Sequence, residues 1–160
     1  MKKSLLIFLF FATLLGCSRN SVPDGLPKLV SVTLTLTQDG APLSGAMVLL
    51  TDPSGNRFTI GGITNANGSV ELYTHGRYKG APPGTFKVHV TKTESDPEPP
   101  PPPFGTPEYY EYLKVDRPPT KTYSLVEKKY TLAETTPLEL DIAGPLTRTL
   151  DVGRAIREPL

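Results

Sequence analysis

From residue 30 to residue 37 the chain alternates without a break. Val30, Val32, Leu34 and Leu36 fall on one side, and Ser31, Thr33, Thr35 and Thr37 on the other. A period of two built from β-branched and aliphatic residues marks a strand with one face buried. The pattern returns at residues 85–91, where Phe86, Val88 and Val90 alternate with Lys87, His89 and Thr91. It returns again where Leu138, Leu140 and Ile142 alternate with Glu139 and Asp141. Residues 46–51 are mostly apolar, which suits a central strand, and shorter strands are expected at residues 57–60, 69–74 and 146–152. Turn chemistry separates them: Asp39-Gly40, Pro53-Ser54-Gly55-Asn56, Asn67-Gly68, Gly80-Ala81-Pro82-Pro83-Gly84 and Gly144-Pro145. With 18 prolines, no stretch beyond the first segment combines helical periodicity with freedom from Pro and Gly, so long helices are not expected. The expected fold is all-β, an antiparallel sandwich of about seven strands.

One segment breaks the pattern. Residues 94–122 hold Asp96-Pro97-Glu98, five consecutive prolines (99–103), Phe104, and then Tyr109, Tyr110 and Tyr112. Proline has no N–H to give a ladder, so the run itself cannot join a sheet. It is expected to form a stiff polyproline II rod of about 3.1 Å per residue.

The start of the chain carries different information. Lys2 and Lys3 precede an eleven-residue apolar run, residues 5–15, with the shape of a secretory leader. The run falls short of the roughly 20 apolar residues that span a bilayer. It closes on Leu14-Leu15-Gly16-Cys17, and Cys17 is the only cysteine. That arrangement resembles the lipobox of bacterial lipoproteins. The resemblance implies cleavage before Cys17, acylation of its thiol, and a membrane anchor of two or three chains, which holds where one is marginal. The plainer alternatives are an ordinary secretory leader or an uncleaved anchor, with Cys17 incidental. Ser18, where an aspartate would resemble an inner-membrane retention signal, favours the outer membrane, on its periplasmic or surface face. Residues 1–16 would then be the leader, 17–28 a polar tether, 29–153 the sandwich with its insertion at 94–122, and 154–160 a tail. The 144 residues left after cleavage suit one domain. With its sole thiol acylated the chain could form no disulfide, leaving burial and strand pairing to hold the fold.

Further in, Gln38-Asp39-Gly40-Ala41-Pro42-Leu43-Ser44-Gly45-Ala46 resembles the opening of the carboxypeptidase regulatory-domain-like group of bacterial lipoproteins. Thr64-Asn65-Ala66-Asn67-Gly68 resembles that group's T-D-x-[DN]-G turn, with Asn65 in place of the usual aspartate. Residues 80–88 resemble its lead-in to a strand. More loosely, Glu127-Lys128-Lys129-Tyr130 with residues 134–138 resembles the segment before its closing strands, although Val126 stands near its usual proline. The similarity covers residues 30–152 and implies a transthyretin-like (prealbumin-type) sandwich. It implies no particular activity, because fold does not fix function.

Seventeen basic and sixteen acidic residues nearly cancel, and no basic stripe points to a nucleic acid. Hydroxyisourate hydrolase shares the transthyretin-like fold, but this chain ends Arg157-Glu158-Pro159-Leu160, unlike that enzyme's closing Tyr-Arg-Gly-Ser. The two histidines, His75 and His89, lack metal-ligand spacing and read as surface side chains. Asn65, Asn67 and Asp52 could offer oxygens to calcium, yet the distal glutamate of an EF-hand is missing and a tight turn explains them. No catalytic, metal or cofactor residue is therefore assigned. Phe104, Tyr109, Tyr110 and Tyr112 are the candidate partner-binding residues, since polyproline and tyrosine both suit recognition of a protein or polysaccharide of the envelope. The competing reading folds those tyrosines back over an exposed sheet edge.

Overall fold

The computed structural model describes residues 25–55, 57–116 and 120–160. Cys17 and the leader lie outside the described residues. In chain order the strands are β1 (Val32–Gln38), β2 (Ala41–Pro42), β3 (Met47–Thr51), β4 (Ile60–Ile63), β5 (Ser69–Glu71), β6 (Tyr73–Thr74) and β7 (Tyr78–Lys79). There follow β8 (Gly84–Thr91), β9 (Thr93–Ser95), β10 (Thr122–Ser124), β11 (Glu139–Ile142), β12 (Leu146–Asp151) and β13 (Glu158–Pro159). Between β9 and β10 lies α1 (Pro107–Lys114), the one α-helix among the described residues.

The fold is the all-β sandwich that the alternation demands. In β1 the buried positions are Val32, Leu34, Leu36 and Gln38, every second residue. In β8 they are Phe86, Val88 and Val90. One sheet is β12-β1-β2, with β5 also on β1; the other runs β11-β8-β3-β4-β6-β7. Their inner faces share one core, in which Leu34, Leu36 and Val70 of the first sheet meet Leu50, Ile60, Val88 and Leu140 of the second. Each such side chain contributes about 1.5–3 kcal/mol by leaving water.

Four features differ from expectation. β1 and β12 run parallel, Val32 opposite Leu146 through Thr37 opposite Asp151, whereas the other strand pairs among the described residues are antiparallel. The strand expected at residues 57–60 lies three residues later, through Gly61 and Gly62. A Cβ on Gly62 would come within 2.6 Å of the Val70 side chain and 2.9 Å of the Glu71 carbonyl, so these glycines mark close approach, not a break. The strand expected over residues 69–74 is divided at Leu72: β5 joins β1 in one sheet and β6 joins β4 in the other. Lastly, the ends of the proline-rich insertion are paired. β9, β10 and β13 form a third small sheet, into which the C-terminal residues fold as an edge strand.

Thr64 and Asn65 tie the turn motifs together. The Thr64 hydroxyl donates to the Leu43 carbonyl (2.6 Å) and accepts from the Ala46 amide (2.9 Å), locking residues 43–46 onto β4. The Asn65 Oδ1 accepts the Asn67 and Ser69 amides at 2.9 and 3.0 Å. Gly68 follows with φ of 72°, where a Cβ would come within 2.6 Å of the Leu36 carbonyl.

Candidate functional site

The chain's two distinctive regions sit at opposite ends of β8. Gly84, at its start, shares a cavity of about 500 Å³ with Pro27, Arg57 and Phe58. Val30 and Ala81 exchange backbone hydrogen bonds of 2.9 and 3.0 Å, fastening the segment just before β1 to the loop that precedes β8. Thr91, at the other end, runs through Lys92 into β9 and the insertion. Eight strand residues at about 3.3 Å each separate the two by roughly 25 Å.

The base of the insertion is built to hold. β10 pairs with β9 on one side and with β13 on the other. Arg157 lies over the Tyr123 ring, 3.5 Å from its centroid, and donates to Asp96 Oδ1 at 2.7 Å. The Tyr123 hydroxyl donates to Asp96 Oδ2 at 3.1 Å. These contacts, the arginine hydrogen bond foremost, hold the Asp96 carboxyl below its usual range. Gln38, buried at the end of β1, donates to the carbonyls of Leu125 and Arg154 at 2.9 and 3.1 Å, binding the base to the sandwich.

Beyond the base stands an arm. Pro99–Pro103 carry no strand or helix. Thr106 then starts α1: its hydroxyl donates to the Pro103 carbonyl at 3.0 Å and accepts the Tyr109 amide at 3.2 Å. Pro107 at the first helical position and Glu108 in the first turn complete an N-terminal signal carried by the local sequence. α1 buries none of its residues. Phe104 is 84 % exposed, Tyr110 53 %, and Leu113 and Val115 more than 60 %. The rings of Phe104 and Tyr109 meet edge to face at 5.3 Å, and those of Tyr109 and Tyr110 at 5.9 Å. Tyr112 is half-buried. No residue of the helix is fully buried, and of the four aromatic residues singled out in the sequence, Phe104, Tyr109 and Tyr110 come together by ring contact while Tyr112 lies on the same helix. Charge sets the arm apart as well, since residues 97–116, beyond the paired base, hold four acidic side chains and a single basic one, Lys114, which pairs with Glu111.

Other candidate residues have ordinary partners. His89 lies on the outer face of β8, its Nε2 3.0 Å from the Thr51 hydroxyl. His75, at a positive φ of 54°, sets its ring edge-on to Phe58 at the tether end. Asp52 accepts the Ser54 amide and hydroxyl, which lower its pKa. Among the described residues no three His, Cys, Asp or Glu side chains cluster as metal ligands would. No helix among them is long and apolar enough to cross a membrane.

Comparison with protein families, curated proteins and solved structures gives no match. The arm's geometry is therefore the ground for a functional reading.

Proposed function

We propose that this chain is a lipid-anchored cell-envelope lipoprotein, held through Cys17, that acts as a non-catalytic binding module. The observation that carries the reading is the arm: a capped helix with clustered aromatic rings and no fully buried residue, based at the end of β8 away from the tether. Exposed rings lose little conformational freedom when a partner covers them, and they supply contact area with polar tips. The carboxypeptidase regulatory-like resemblance fits an accessory role of this kind. The partner we favour is another envelope protein, met by the acidic, aromatic arm.

The test replaces residues 98–116 with a short Gly-Ser linker and leaves the paired base in place. The variant should melt within a few degrees of the parent and lose proximity crosslinks to neighbours in intact cells. A variant that keeps the parent's crosslinks despite the deletion would remove the arm from the reading. If the same loss appears instead in sedimentation with isolated envelope polysaccharide, and Tyr109→Ala with Tyr112→Ala reproduces it, the partner is a sugar polymer. Metabolic palmitate labelling of parent against Cys17→Ser tests the anchor separately.

A further inference from the structure

The tether end of the sandwich has a chemistry of its own. Two cavities meet there and share Pro27. One, of about 500 Å³, includes Arg57 and Phe58; the other, of about 680 Å³, includes Lys28, Arg77, Tyr78 and Lys79. The segments are neighbours by pairing: the His75 amide donates to the Thr59 carbonyl at 2.6 Å, and the Phe58 and His75 rings are 5.8 Å apart. Lys28, Arg57 and Arg77 are exposed and, among the described residues, form no ion pair. Lys79 pairs with Glu71 at 2.6 Å; the other acidic side chains at this end are Asp52, in the cavity with Arg57, and Asp141, opposite Thr85 of that cavity, so four basic groups face three acidic ones. Positive charge therefore exceeds negative on the face through which the chain leaves toward Cys17. The arm, at the opposite end, carries more acidic than basic side chains.

We infer that this basic face is a docking surface for the anionic headgroups of the lipid bilayer. The inference rests on the anchor proposed above. From Cys17 to Gly25 is eight residues, a span of at most about 29 Å when fully extended. An acylated Cys17 therefore keeps the tether end within that reach of headgroups, where each basic residue is attracted and the acidic arm is repelled. Anchor and charge together would stand the domain upright, with Phe104, Tyr109 and Tyr110 turned from the bilayer. An acyl anchor alone would leave the domain free to tumble.

The chain has no tryptophan, so a single introduced one reports position. Full-length lipidated protein carrying either Phe58→Trp or Tyr110→Trp is reconstituted in vesicles containing a headgroup-borne spin-label quencher. In vesicles with about 30 % phosphatidylglycerol, Phe58→Trp should be quenched severalfold more than Tyr110→Trp. The difference should shrink markedly in pure phosphatidylcholine, in high salt, and with Arg57→Glu and Arg77→Glu added. Equal quenching at the two positions in anionic vesicles, or a difference indifferent to lipid charge, would overturn the inference. Co-flotation with phosphatidylcholine vesicles reads the anchor alone. Should that fail, sedimentation of the unanchored chain with anionic against neutral vesicles still decides the surface: a preference lost on Arg57→Glu with Arg77→Glu supports it, and no preference refutes it.

Discussion

A hydroxyl and an amide oxygen do much of the organising at the residue scale. Thr64 is almost fully buried and satisfies one carbonyl and one amide from the loop before β3. Thr64→Val keeps the volume and removes both bonds, stranding two buried backbone groups at about 1–3 kcal/mol in total or more. Urea unfolding should show that loss as a lower midpoint at unchanged slope. An unchanged midpoint would mean that the loop draws no stability from Thr64. The turn motifs were legible because Asn-Gly and Asp-Gly have local causes, as the positive φ of Asp39, Gly40 and Gly68 shows. What Thr64 touches was not legible, since its partners lie 18 and 21 residues away.

Among elements, local periodicity found the strands whose faces differ and missed those held by partners. β1, β3, β8, β11 and β12 fall within a residue or two of where alternation puts them. β4 lies later than expected, because Gly61 and Gly62 carry no side-chain alternation to read, and their reason is the close approach of β3 to Gly61 and of β5 to Gly62. β9, β10 and β13 are three residues or fewer, all partly or fully exposed, with no apolar face to read. Only their mutual pairing and the Asp96–Arg157–Tyr123 cluster define them. The folded pKa of Asp96 lies below its unfolded value, so the stabilisation is present above roughly pH 4 and fades as pH falls through the folded value. Amide exchange in β10 should accelerate between about pH 5 and about pH 3, beyond the intrinsic trend, while exchange in β8 stays slow. Arg157→Gln should flatten that response. A β10 that opens no faster in acid would show that backbone pairing alone holds the arm's base.

At the scale of the molecule, charge and topology act together. Near-zero net charge conceals an acidic arm at one end and a basic face at the other, separated by the length of β8. Composition alone could not reveal this, because the contributing residues come from separate stretches, 26–30, 57–58 and 75–79, assembled only by the sheets. The aromatic cluster was legible residue by residue. Its lack of full burial was not, because burial depends on where the rest of the chain goes.

The parallel partnership of β1 with β12 has a temporal meaning. Residues 32–37 leave the ribosome first and wait for residues 146–151 before that edge is closed. A chain ending at Pro145 should therefore stay expanded and protease-sensitive, and a compact, resistant product would contradict this. Until that final segment arrives, β1 lacks the partner that completes its sheet, so the last residues made are among those the fold most needs.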